Sequence, residues 1–302
     1  MKALIGVDGS TGGFEATALA GQLLSPAKDQ ICFYYAPAEM PHRPDGADMR
    51  ERAKRALAEA VFAKAREYLP EPFRAKVETM IGVQRPDRGL VVAAQQWRAD
   101  LIVVGARGLG PIQRLLLGSV SQAVAHHAGV PVLIARHGAA RQSSSLKMLL
   151  GFDRVNAEVQ AEVLGEFTWP AESSGQVVAV ADSMLAGPLP EWLEEKARDA
   201  DSEEMAQALV REHDEQVEAK RNQLLNYRQQ LPAPFQKLPP LVVEGHPAEQ
   251  ILKLIDGELF DLVIVGRTVS GAMKRMLMGS TSIKVLTHAP CSVLVIPPLE
   301  RP

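Results

Sequence analysis

Between residues 105 and 121 the chain carries glycines and hydroxyl side chains in an order suited to holding an anion. Gly105, Gly108 and Gly110 follow a short apolar run, and Gly118-Ser119-Val120-Ser121 opens an amphipathic stretch. Glycine lets backbone N–H groups approach a ligand closely, and a helix N-terminus adds unpaired N–H groups and partial positive charge. Ser119 and Ser121 supply hydroxyl donors for phosphate oxygens, and Arg107 and Arg114 bring positive charge to the same loop. The expected ligand is therefore phosphorylated. Ser119 alone would read as a plain helix cap and Arg114 alone as a solvated helix residue. The combination carries the assignment: Gly105, two residues, Gly108, nine residues, then Gly118-Ser119, set between an apolar strand and a helix.

These residues must be positioned by a parallel sheet. Short continuous apolar runs alternate with amphipathic segments, the pattern of strands buried on both faces by helices. Strands are expected at Ala3–Val7, Gln30–Tyr35, Lys76–Ile81, Leu101–Val104 and Val132–Ala135, with helices at Gly13–Leu24, Ala47–Tyr68, Asp87–Arg98 and Ser119–His127. Ligands of open parallel sheets sit beyond the carboxyl ends of the strands, here the turns after Val7, Ile81 and Val104.

The chain then repeats itself. Lys2–Ser10 (KALIGVDGS) is echoed by Lys147–Val155 (KMLLGFDRV), and Asp100–Arg136 by Asp261–Pro297. Gly105 to Gly118 and Gly266 to Gly279 span the same thirteen positions. The second set of strands is expected at Met148–Gly151, Val177–Ala181, Leu241–Glu244, Leu262–Val265 and Ser292–Ile296. The expected architecture is α/β, two tandem open parallel five-stranded sheets flanked by helices. One unit covers residues 1–137, an Ala- and Ser-rich linker 138–145, and a second unit 146–302. The one large departure is Pro190–Leu231, a charged stretch in which Trp192, Met205, Leu209, Val217, Leu224 and Leu231 can bury one helical face. It reads as an enlarged packing helix, with a partner site as the alternative.

Composition excludes several classes. The 302 residues carry a formal net charge of −3 and show no basic patch interleaved with aromatics, so no nucleic acid is expected as partner. No apolar segment approaches the length of a membrane span, and the expected location is cytoplasmic. Cys32 and Cys291 stand at non-equivalent strand positions without metal or redox spacing and read as buried thiols. His126 and His127 are adjacent, a quarter-turn apart on a helix, and suit its C-terminus rather than a metal. His246 reads as an exposed turn residue, with a place lining the pocket of the second half as the alternative. DGSTGG at Asp8–Gly13 lacks the lysine of a P-loop and reads as a turn capped by Ser10 or Thr11. No nucleophile with a neighbouring base and no metal-ligand cluster is recognisable.

The glycine spacing, together with VDGS at Val7–Ser10, ADLIVVGARG at Ala99–Gly108 and GVPVLIAR at Gly129–Arg136, resembles the nucleotide-binding signature of the universal stress protein superfamily. The resemblance spans both halves and implies the Rossmann-like fold of adenine nucleotide alpha hydrolases, with ATP, with or without Mg2+, as ligand. It further implies that Asp8 binds the adenosine moiety, with Val7 and Val83 bordering it. Gly105 would lie by the ribose, and Gly108, Gly118, Ser119, Val120 and Ser121 at the phosphates. In the second half Asp153, Gly266, Gly279 and Ser280 stand at matching positions, but Val269 replaces the middle glycine, Gly271 comes two residues late, and Arg154 stands where Gly9 does. A β-branched residue there resists positive φ and fills space needed by phosphate. The second site is accordingly expected to be vestigial, with a shifted loop through Gly271 as the alternative. The resemblance also implies pairing of the two halves through their final strands. A homodimer of the whole chain and the identity of protein partners are left open by the sequence. The functional expectation is a non-enzymatic, ATP-binding stress-response regulator. The alternatives are a nucleotide-independent interaction scaffold and a slow ATPase.

Overall fold

The computed structural model describes residues 1–37, 47–106, 117–136, 138, 145–181, 215, 217–267 and 278–298. The sequence expectations at Arg107, Gly108, Gly110, Arg114, Val269, Gly271, most of the linker and residues 190–214 lie outside them.

Ten strands form one sheet. In chain order they are β1 (Lys2–Gly6), β2 (Gln30–Tyr35), β3 (Glu78–Ile81), β4 (Leu101–Gly105), β5 (Val132–Ala135), β6 (Lys147–Gly151), β7 (Ser174–Ala181), β8 (Leu241–Glu244), β9 (Leu262–Gly266) and β10 (Ser292–Ile296). Their order across the sheet is β3-β2-β1-β4-β5-β10-β9-β6-β7-β8. Each half is parallel with the internal order 3-2-1-4-5. The halves join where β5 meets β10 antiparallel, in the register Val293↔Ile134, Leu294↔Leu133 and Val295↔Val132. The expected pairing through the final strands is what the chain adopts, and it turns two sheets into one.

The helices are α1 (Thr11–Leu23), α2 (Ala47–Arg66), α3 (Glu71–Arg74), α4 (Pro86–Trp97), α5 (Ser119–His127) and α6 (Ala157–Glu166), then α7 over 217–230, α8 (Pro247–Gly257) and α9 (Ser280–His288). Successive strand residues point to opposite faces, so Ala3 and Ile5 enter one layer and Leu4 the other. One layer receives α1, α2, α6 and α7 through residues such as Leu19, Phe62, Leu164 and Leu224. The opposite layer receives α4, α5, α8 and α9 through Leu90, Val124, Ile251 and Val285. Both layers run without a break through both halves, which is why β5 and β10 are buried along their whole length. Within α7, Leu224 and Tyr227 are buried, with Leu231 just beyond, while Val217 is half-buried, so this part of the long charged stretch covers its own sheet.

Repeated aspartates pin the strand starts. The amide of Lys2 donates to Asp100 Oδ2 at 2.7 Å, and that of Lys147 to Asp261 Oδ2 at 2.8 Å. Two arginines that are not repeat equivalents fasten the halves to each other. Buried Arg136, just after β5, donates through Nη2 to the carbonyls of Leu286 (2.6 Å) and Thr287 (3.4 Å) at the end of α9. Arg267, just after β9, donates through Nη1 to the carbonyls of Ala125, His126 and Ala128 (3.3, 3.0 and 2.7 Å) at the end of α5. The last carbonyls of a helix have no intrahelical partner and carry partial negative charge, so a cation there satisfies both needs.

Arg136→Ala removes charge-assisted bonds that no water can replace in a buried seam, and urea unfolding should show a loss of about 2–3 kcal/mol. Burial pushes the Cys32 thiol up to about 12 and the Cys291 thiol likewise to about 12. Both thiols therefore stay neutral at pH 7–8, and iodoacetamide should label them only after unfolding. Because these folded values lie above the unfolded thiol's 9.0, their contribution to stability is complete below pH 9. It should decline as pH rises from there toward 12, as a pH series of melting curves would record.

Candidate functional site

At the carboxyl end of the first half, β1 and β4 lie side by side and deliver Asp8 and Gly105 to one place. Asp8 follows β1 and Val7. Its Oδ1 accepts from the Ser10 amide (3.0 Å) and the Ser10 hydroxyl (2.5 Å), while Ser10 in turn caps α1 by accepting from Gly13 N at 3.2 Å. Gly9 between them takes φ +83°, which a side chain would strain. The second carboxylate oxygen of Asp8 accepts no hydrogen bond from the described residues, and the group is only half-buried. It is an acceptor held in a fixed direction and left open. Tyr35, at the end of β2, is raised in pKa first by burial and then by the Asp8 carboxylate, so its phenol stays protonated.

Gly105 has a packing reason of its own. A Cβ there would stand 2.5 Å from the carbonyl carbon of Gly12 and 2.9 Å from Gly13 N, because the start of α1 crosses the end of β4 at backbone distance. Gly118 N donates to Ala106 O at 2.7 Å, bringing the start of α5 back beside β4. The helix begins with Gly118 as N-cap and has no side-chain cap, so the N–H groups of its first turn face outward unsatisfied by any side chain. Ser119 is exposed and its hydroxyl makes no hydrogen bond among the described residues, while Val120 is half-buried.

One expected contact is placed otherwise. The Ser121 hydroxyl is buried and donates to Gly105 O at 2.6 Å, so it ties helix to strand rather than facing a ligand. Sequence spacing did not reveal this because Ser119 and Ser121, two positions apart, project from different sides of the helix. Val7 is a core residue, 3% exposed, whereas Val83 in the turn after β3 is 98% exposed.

The second half repeats the frame with different fittings. Ser282 Oγ donates to Gly266 O at 2.5 Å, the counterpart of the Ser121 bond. Gly279 is again an N-cap without a side-chain bond, and Ser280 is exposed. Asp153, however, has both oxygens engaged: Oδ1 accepts from Val155 N at 3.0 Å, and Oδ2 from Asn156 Nδ2 at 2.7 Å. Asn156 is fully buried, and a Cβ on Gly266 would meet its Nδ2 at 2.7 Å and Asp153 Oδ2 at 2.8 Å. Around these residues lies a cavity of about 580 Å³.

The histidines lie where helix ends place them. His126 and His127 occupy the last turn of α5, their rings 6.3 Å apart, with His127 Nδ1 2.8 Å from Ala123 O. The pKa of His126 is lowered, first by burial and then by His127 and Arg267. His246 is the exposed N-cap residue of α8. Among the described residues no group of three or more His, Cys, Asp or Glu is placed to hold a metal ion, and no helix is long and apolar enough to cross a membrane.

Comparison with known proteins agrees with this geometry. The family model described as the universal stress protein family matches residues 1–136 and 181–297. A universal stress protein of Mycolicibacterium smegmatis is 29% identical over 254 residues, 82% of this chain and 78% of that protein. The crystal structure of a universal stress protein from Archaeoglobus fulgidus superposes with a TM-score of 0.61 at 18% identity, covering 100% of this chain and 97% of that one. A universal stress protein solved in complex with cAMP matches 45% of this chain and 97% of its own, at 27% identity and a TM-score of 0.34. With two segments covering most of its length matched by one family and a ten-stranded α/β frame of the same fold, this chain belongs to the universal stress protein family.

Proposed function

We propose that this chain is an ATP-binding, non-enzymatic regulator of the stress response, in which the first half holds the nucleotide, with or without Mg2+, and the second does not. The units would be residues 1–137 and 146–302, joined by 138–145. The observation that carries the asymmetry is the contrast between two aspartates: Asp8 keeps one carboxylate oxygen open, whereas Asp153 has both oxygens committed to its own turn.

In this reading the open oxygen of Asp8 accepts from ribose hydroxyls. Val7 and Val83 border the base, and Gly105 lets the ribose approach the backbone. The amides at Gly118, Ser119 and Val120 and the Ser119 hydroxyl receive the phosphates, while Arg107 and Gly108 complete the loop. Ser121 serves by fixing the helix to β4. An aspartate engaged with ribose is badly placed to act as base at the γ-phosphate, so any hydrolysis would be slow. Bound nucleotide would alter the surface that this end of the first half presents to protein partners. The adenine specificity rests on family membership, whereas the anion preference rests on the uncapped helix start.

Isothermal titration of ATP with magnesium should give one site per chain. Asp8→Ala removes an acceptor from a charged group and should weaken binding by about tenfold or more, whereas Asp153→Ala should leave it unchanged. Equal losses in both variants would contradict the asymmetry, whereas no heat in a protein shown to carry no co-purified nucleotide would favour the scaffold reading. Ser119→Ala should weaken binding without moving the melting temperature, because Gly118 and not Ser119 is the cap. Gly105→Ala should do both, lowering stability by about 1–3 kcal/mol through the forced separation of β4 from α1.

A further inference from the structure

The cavity of the second half has chemistry of its own. Its walls include Phe152, Val178, Val180, Ile251 and Val265, an apolar surface at the ends of β6, β7 and β9. At about 580 Å³ it falls within the range of sites that enclose most of a small organic molecule. The Phe152 ring lies 5.1 Å from the Tyr227 ring, and Tyr227 OH donates to Gln160 Oε1 at 3.1 Å. That chain continues from Gln160 Nε2 to Gly151 O at 3.1 Å, so the aromatic wall is held rigidly from behind.

The charges around it are unbalanced. Lys220, from α7, is half-buried, and its ammonium donates to Val180 O at 2.8 Å and to no carboxylate among the described residues. A carbonyl uses one of its three N–H bonds, which leaves two donors beside an apolar wall. Arg154 lines the same cavity, exposed and without an ion pair among the described residues. Asp153 is the one carboxylate among the described lining residues, and both its oxygens already serve Val155 N and Asn156 Nδ2. Half-buried positive charge without a counter-charge is costly to keep, and an anion entering with an apolar body would relieve that cost while covering the wall. Asp153, at the position matching Asp8, has no oxygen left over for a ribose, and Lys220 comes from the long charged stretch that the first half lacks.

We propose that this cavity is a second, separate binding site for a small organic anion with a planar apolar body, an aromatic carboxylate or sulfonate in type, seated on Phe152 and paired with Lys220 and Arg154. The probe is 8-anilinonaphthalene-1-sulfonate, titrated into the full chain and followed by its fluorescence. A saturable component of one site per chain is expected, weakened about tenfold or more by Lys220→Glu and also by Arg154→Glu, and unchanged by saturating ATP with magnesium. Both residues lie outside the core, and melting curves equal to wild type would exclude a folding effect. Absence of saturable binding, equal affinity in both variants, or displacement of the Lys220-dependent component by ATP would overturn the proposal.

Discussion

Everything in this molecule hangs on one antiparallel junction in an otherwise parallel sheet. β5 and β10 are the last strands of their halves, and each would be an exposed, largely apolar edge if the other were missing. Pairing them satisfies both edges at once and makes the two core layers continuous. The junction also sets the helices: with β5 and β10 adjacent, Arg136 reaches the end of α9 and Arg267 the end of α5. Those two helices are the ones whose N-termini stand at the candidate sites. Each site is therefore anchored from behind by an arginine of the other half.

On that shared frame the two ends diverge. The Ser121 and Ser282 hydroxyls hold helix to strand in the same way on both sides, so the uncapped helix starts at Gly118 and Gly279 are equivalent. What differs is the turn after the first strand of each half. Gly9 with positive φ lets Ser10 fold back onto one oxygen of Asp8, leaving the other open. Arg154 cannot make that turn as easily, and Asn156 instead takes the second oxygen of Asp153. A duplicated scaffold thus ends in two different surfaces, one with an open carboxylate oxygen at Asp8 and one with Lys220 and Arg154 beside apolar residues.

The fold was largely legible because strands buried on both faces must be continuous apolar runs, and because the repeat showed twice what a single copy states once. Gln30–Tyr35, Val132–Ala135, Leu241–Glu244 and Ser292–Ile296 came out at the boundaries expected from their residues. The strand ends at Gly105 and Gly266 run one residue further than the apolar pattern suggests, since glycine contributes to the ladder without contributing to the pattern. The site was legible in its backbone features and less so in its side chains. Ser121 fits a phosphate loop by type and spacing, and only its rotation about the helix axis shows that it faces β4. Arg136 and Arg267 were illegible as a pair because their repeat counterparts are Pro297 and Ala106, so no duplicated pattern pointed to them. Lys220 sits in a charged amphipathic stretch in which any lysine would look solvated, and its place beside Val180 is a property of packing alone.

The central claim is that equivalent helix starts in one sheet have unequal affinity for nucleotide, and hydrogen–deuterium exchange of the full chain with and without ATP and magnesium tests it most directly. Slowed exchange is expected at Val7–Ser10 and at Gly118–Ser121, with Gly279–Ser282 unchanged. Equal protection at Gly118–Ser121 and Gly279–Ser282, or protection at the second alone, would contradict it.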